Sequence, residues 1–129
     1  MVCRVFSVTT SVQIRFSDFD PLNHVNNVAY YALMETGRVE FLRDQAKSLF
    51  GHMVIARSEC DYLSEIKGGT RTVDVTVSVE KIGTTSFVLL HEIRSGEVLH
   101  ARGRTVQVAL GPDRRARPLT PDERVLLGE

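Results

Sequence analysis

The feature that most constrains this chain is an alternation in its second half. Val73, Val75, Val77 and Val79 are interleaved with Asp74, Thr76, Ser78 and Glu80. Successive side chains of an extended backbone point to opposite faces, so this segment has one apolar face and one polar face. Such a strand needs other strands beside it and an apolar layer over it. The neighbouring sequence supplies the strands. Residues 52–66 read as one long strand with a bulge near residues 57–60, residues 86–94 as a second and residues 97–110 as a third. Turns fall at Lys67-Gly68-Gly69, at Gly83 and at Ser95-Gly96. Three consecutive hairpins predict mainly antiparallel pairing. Residues 8–16 add a fifth strand through Val8, Val12, Ile14 and Phe16.

The covering layer is a helix. From about Val28 the spacing places Tyr30, Leu33, Met34, Gly37, Phe41, Gln45 and Leu49 along one stripe, as a helix packed on a core requires. Asn26 or Asn27 is the expected cap, and Gly51 the expected stop. Gly37 costs about 1 kcal/mol against alanine inside a helix, so its place in the stripe predicts a close approach to another backbone. Tyr31, Ala32, Val39 and Leu42 extend the apolar surface, which predicts burial on more than one side. Near the end, Thr120-Pro121-Asp122-Glu123 has the form of a capped start to a short helix. Five strands and one long helix make an α+β layer pair, with the helix over one sheet face.

The chain of 129 residues suits a single domain, residues 1–129. Its 16 basic and 16 acidic residues cancel, which argues against a nucleic-acid partner held by a strongly basic surface. A local cluster of Arg114, Arg115 and Arg117 is still available to phosphate oxygens. Cys3 and Cys60 are too few and too far apart for a zinc motif or a disulfide framework, and read as free thiols. Residues 1–7 lack the apolar run of a signal peptide. No stretch approaches the roughly 18–20 apolar residues of a membrane span, so no membrane partner is expected and the expected location is the cytoplasm.

Chemistry concentrates between the first strand and the helix. Asp18, Asp20, Asn23, His24, Asn26 and Asn27 crowd one loop. The loop delivers them to a helix N-terminus, where unpaired N–H groups and the positive end of the dipole gather. Such N–H groups can hold an oxyanion. A carboxylate beside them suits acyl transfer, whether it attacks an acyl carbon or activates water. The same residue types also form turns and caps. Asp18, Asp20 and His24 match no strong metal-ligand spacing, so neither a metal nor another cofactor is expected.

The stretch Asp18-Phe19-Asp20-Pro21, His24-Val25-Asn26-Asn27, Tyr30, Glu35, Arg38 and Glu40-Phe41-Leu42 resembles the signature of the 4-hydroxybenzoyl-CoA thioesterase-like branch of the hot-dog superfamily, particularly its bacterial acyl-CoA thioesterases. It is also similar to the active-site loop of plant acyl-ACP thioesterases. The later strands and Arg117-Pro118-Leu119-Thr120-Pro121 resemble the same family more weakly. The resemblance implies a hot-dog fold, with a central helix wrapped by a curved five-stranded sheet. It implies a homodimer joined edge to edge or a homotetramer, with active sites at the dimer interface. The implied activity is hydrolysis of acyl-CoA thioesters. The alternatives are an acyl-ACP thioesterase and a non-catalytic hot-dog dimer that binds acyl thioesters.

By this resemblance Asp20 is the catalytic carboxylate, as general base or as nucleophile. The backbone N–H of Asn27, with that of Val28, is the oxyanion donor. His24 and Asn23 orient water or polarise the carbonyl. In the plant enzymes, however, the asparagine lies two residues after the aspartate, where this chain has Leu22. From their place on the helical stripe, Tyr30, Met34 and Phe41 are candidates to line an acyl pocket, with plain core as the alternative, and Ser86, at the start of a strand, is a candidate to face the thioester. Asp18 braces the loop. Glu35 is the rival carboxylate, although its spacing from Arg38 favours a helix pair.

Overall fold

The computed structural model describes residues 7–129. In chain order its elements are β1 (Ser7–Gln13), α1 (Ala29–Gln45), β2 (Met53–Tyr62), β3 (Thr72–Ile82), β4 (Ser86–Ser95), β5 (Val98–Ala109) and α2 (Pro121–Leu126). Single 3-10 turns occupy Phe16–Asp18 and Lys47–Leu49. The strands form one antiparallel sheet in the order β1-β3-β4-β5-β2, and α1 lies against β1, β3 and β4. A long helix on a curved antiparallel sheet is the hot-dog arrangement that the resemblance implies.

The alternation of β3 does what its period requires. Val73, Val75 and Val77 are buried beneath α1, and Asp74 is exposed. On β4, Phe87, Leu89, His91 and Ile93 share that inner face. The helix answers with Tyr30, Leu33, Met34, Gly37 and Phe41, all buried. Gly37 is explained by a close approach, though to side chains rather than backbone. A Cβ there would lie 2.5 Å from Val75 Cγ1 and 3.2 Å from Val77 Cγ2.

Several expectations are corrected. Only two of the three hairpins form. β2 pairs with β5 at the sheet edge, and β3 enters between β1 and β4. Gly68 and Gly69 turn the chain, but turn chemistry reverses a chain without choosing the strand it then pairs with. The first strand ends at Gln13. Beyond it the Arg15 N–H donates to Asp18 Oδ2 at 2.7 Å, pulling the backbone into the 3-10 turn and leaving Phe16 96% exposed. Helix α1 stops at Gln45, well before Gly51. Ala46 leaves helical geometry at φ −148°, and the next 3-10 turn carries Leu49 back into the core. Tyr31 and Ala32 are exposed, so within one chain α1 is buried on one side.

At the C-terminus, Thr120 caps α2 as expected. Its Oγ1 accepts the Glu123 N–H at 3.1 Å, and Glu123 Oε1 accepts the Thr120 N–H at 2.8 Å. Arg117 is not free to meet phosphate. It donates to both oxygens of the buried Glu123 at 2.7 and 2.8 Å and to Leu110 O at 3.2 Å, bracing the tail. Arg114 and Arg115 are exposed. Cys60 is a half-buried free thiol; Cys3 lies outside the described residues. Among the described residues no helix is long and apolar enough to cross a membrane.

Candidate active site

The loop before α1 folds as a tight reversal. Asn23 N–H donates to Asp20 O, and Asp20 N–H donates to His24 O, both at 3.0 Å. The reversal needs one residue of positive φ, and Asn23 supplies it at 63°, a conformation asparagine tolerates better than most residues. Short bridges pair Phe19 with Val25 and His24 with Lys67, tying the turn to the segment that leaves β2.

Asp18 is buried and braces this loop. Its carboxylate accepts from the Arg15 N–H and guanidinium, and its carbonyl accepts the Asn26 N–H at 2.7 Å. Burial pushes the Asp18 carboxyl upward, but the hydrogen bonds and charge of Arg15 outweigh it and hold the group below the usual carboxylate range. Asp20 combines a turn-forming and a reactive geometry. Its Oδ1 accepts the Leu22 N–H at 3.0 Å, and its Oδ2 lies 3.5 Å from His24 Nδ1. His24 Nδ1 also faces Val25 O at 3.3 Å. With two acceptors before Nδ1, the neutral ring carries its proton there and leaves Nε2 as an acceptor.

The start of α1 separates the two proposed oxyanion donors. The Val28 N–H is already taken by Asn26 Oδ1 at 3.1 Å, so Asn26, rather than Asn27, supplies the side-chain oxygen at the helix start. The Asn27 N–H has no acceptor among the described residues. Its carbonyl accepts the Tyr62 hydroxyl at 3.0 Å and the Tyr30 N–H at 3.4 Å, which fixes the peptide that follows.

These groups meet in an open cleft of about 330 Å³ lined by Asp20, His24, Val25, Asn27, Tyr30, Tyr62, Leu63, Ser64 and Glu65. Tyr30 and Tyr62 stack edge to face, with ring centroids 4.9 Å apart. Burial raises both hydroxyls above their ordinary range, so each is a neutral donor at physiological pH. A carboxylate, an imidazole and an uncommitted backbone N–H around one cleft can deliver water to an acyl carbon and hold the charge that develops on its oxygen.

The remaining expected residues lie elsewhere. Asn23 packs its side chain over Gly68. The Val28 side chain points to solvent. Met34 is in the core, its sulfur pressed against Gly103, where any Cβ would collide. Ser86 opens β4 opposite Val108, whereas the cleft sits near the far end of that sheet, where Tyr62 pairs with Ala101 and Ala101 with Ile93. Those positions are separated by about 20 Å of strand. Glu35 is solvent-exposed, borders a different cleft with Arg15 and Asp18, and pairs with Arg38 at 4.0 Å. The second carboxylate of the site is instead Glu65. Tyr62, Leu63, Ser64 and Glu65 carry no local motif, and reading residues 52–66 as one strand hid them. β2 ends at Tyr62, and the Leu63 and Ser64 N–H groups both turn onto His100 O. Among the described residues no cluster of His, Cys, Asp and Glu is placed to hold a metal ion.

Residues 14–126 match the family described as the thioesterase-like superfamily. A predicted thioesterase from Bacillus stearothermophilus is 36% identical and superposes with a TM-score of 0.81 over 95% of this chain and 94% of that one. A thioesterase from Thermus thermophilus, solved with coenzyme A and zinc, is 33% identical, with a TM-score of 0.83 over 92% of this chain and 90% of that one. The uncharacterised protein YsmA of Bacillus subtilis is 26% identical over 87 residues. That match covers 65% of this chain and 58% of the relative's length.

Proposed function

The chain belongs to the thioesterase-like superfamily, and from that premise we propose that it hydrolyses acyl-CoA thioesters to the free acid and CoA, with Asp20 as the acting carboxylate. Thioester hydrolysis is the activity that the family carries. Coenzyme A as the thiol is supported by its presence on the Thermus thermophilus relative. The observation that carries the reading is the convergence of Asp20, His24 and the free Asn27 N–H on one cleft.

In this mechanism the acyl carbonyl oxygen faces the Asn27 N–H. Asp20 supplies the nucleophile, either by taking a proton from water as it adds to the acyl carbon or by adding itself. The negative charge moves to the carbonyl oxygen, where one well-placed N–H is worth on the order of 3 kcal/mol. Collapse of the intermediate breaks the carbon–sulfur bond and releases the CoA thiolate. Where water has added, the thiolate takes up the proton held by Asp20; where Asp20 itself has added, water then cleaves the mixed anhydride to the free acid and restores the carboxylate. His24, with Nδ1 turned to Asp20 and Val25, keeps the carboxylate oriented. Tyr62 holds the helix start in place through the Asn27 carbonyl.

We extend the proposal to a homodimer or homotetramer. β2 is an edge strand with no outer partner among the described residues. Apolar side chains are exposed on β2 itself, at Ile55, and beside the cleft, at Tyr31, Tyr62 and Leu63, a pattern that isolated sheets avoid.

The test is thiol release from a panel of short, long and aromatic acyl-CoAs. At least one should be hydrolysed, and Asp20→Asn should lower its rate by about a hundredfold or more. Full activity in that variant would remove Asp20 from the chemistry. Inactivity of the folded wild type across the panel would move the reading to carrier-protein thioesters or to binding without turnover.

A further inference from the structure

Resting on that reading of the cleft, we infer that Glu65 makes the site select uncharged acyl groups over acyl groups that end in a carboxylate.

The argument begins with the charges that line the cleft. Asp20 and Glu65 are both carboxylates, and among the described residues no lysine or arginine lines the wall. Among the described residues His24 is the only side chain there that can become positive, and its Nδ1 already faces Asp20 and Val25 O. The other walls are the aromatic faces of Tyr30 and Tyr62 and the aliphatic Val25 and Leu63. A neutral acyl chain meets apolar surface. A chain ending in a carboxylate meets two like charges, and the described residues of the wall offer it no lysine or arginine to offset its desolvation.

Glu65 and Asp20 differ in how they are held. Both oxygens of Asp20 have partners inside its own turn, the Leu22 N–H and His24 Nδ1. The Glu65 side chain has no hydrogen bond or ion pair among the described residues and sits on the exposed segment that leaves β2. A group that transfers a proton or adds to carbon must be fixed to a fraction of an ångström. A group that repels a charge needs only to be near. Glu65 is therefore suited to selection and Asp20 to chemistry. Burial is the main cause that raises the Tyr30 hydroxyl, and the charge of nearby Glu65 is a lesser one.

The experiment compares kcat/KM for hexanoyl-CoA and for glutaryl-CoA, which is of similar length but ends in a carboxylate. The proteins are wild type, Glu65→Gln and Glu65→Lys, each at low and high salt. The quantity read is the hexanoyl-to-glutaryl ratio, which cancels any general effect of the substitution on turnover. The ratio should favour hexanoyl-CoA in wild type. It should fall roughly threefold to thirtyfold in Glu65→Gln, the range expected for like charges at cleft distances, and fall further in Glu65→Lys. High salt should narrow the wild-type preference. A ratio that stays constant across the three proteins overturns the inference, even if every protein is active. The hydrolytic reading itself stands or falls separately, on the acyl-CoA panel; if wild type hydrolyses neither of these two thioesters, the inference is tested on binding. The same ratio is then taken from equilibrium dissociation constants of the two acyl-CoAs, and a constant ratio there also overturns the inference.

Discussion

Buried ionisable residues set how this protein meets acid, His91 and Glu123 most strongly. His91 faces the core from β4, with Nδ1 3.3 Å from Gly103 O and Nε2 without a partner. Burial, then the charge of Arg38 on the overlying helix, lowers it from the usual 6.5 to about 4. Unfolded, the ring takes up its proton near 6.5; folded, only near 4. Between those values the unfolded chain binds more protons, so stability falls as pH drops through that window, by on the order of 3 kcal/mol in total. Glu123 behaves likewise further down. The Arg117 hydrogen bonds hold its carboxyl at about 2 against an ordinary 4.5, so its contribution is complete above pH 4.5 and is lost as pH falls toward 2. Urea midpoints measured against pH should therefore decline in two stages. His91→Met should flatten the upper stage and leave the lower one. An unchanged upper stage in that variant would mean that His91 is not the group responsible.

At the scale of elements, α1 and β3 were the most legible parts of the chain and are the most tightly fitted. Every fourth or third helix residue from Tyr30 to Phe41 is buried, as are Val73, Val75 and Val77 of β3, and both patterns are local. Gly37 marks their closest approach. Alanine there would gain about 1 kcal/mol of helix propensity, but its Cβ would drive into Val75, and overpacking a filled core costs about 1–3 kcal/mol. Gly37→Ala should therefore be destabilised by up to about 2 kcal/mol in urea unfolding. Adding Val75→Ala, which vacates the space, should make the two effects clearly non-additive. Simple additivity would show that the helix takes up the methyl by moving. The element boundaries were less legible. Phe16 continued an apolar alternation but sits on a turn, because the Arg15–Asp18 contact outweighs a single apolar side chain. Leu49 continued the helical stripe but reaches the core from a separate 3-10 turn.

At the scale of the molecule, the free edge of β2 and the exposed Tyr31, Ile55, Tyr62 and Leu63 carry the proposal of self-association. Sedimentation equilibrium at micromolar concentration should give two or four times the chain mass, and Ile55→Glu should shift it toward the single chain with loss of thioesterase activity. A fully active wild type at single-chain mass would sink the proposal. What the sequence by itself determined was local: a period of two for the strands, a helical stripe, and a loop whose short span holds Asp20, His24 and Asn27 together whatever the rest of the chain does. The tertiary structure alone decided which strands are neighbours, and so which distant residues meet that loop. A strand's alternation states which face it buries, but not which partner it takes. Only the pairing of β2 with β5, settled by the whole sheet at once, brings Tyr62 and Glu65 to the cleft.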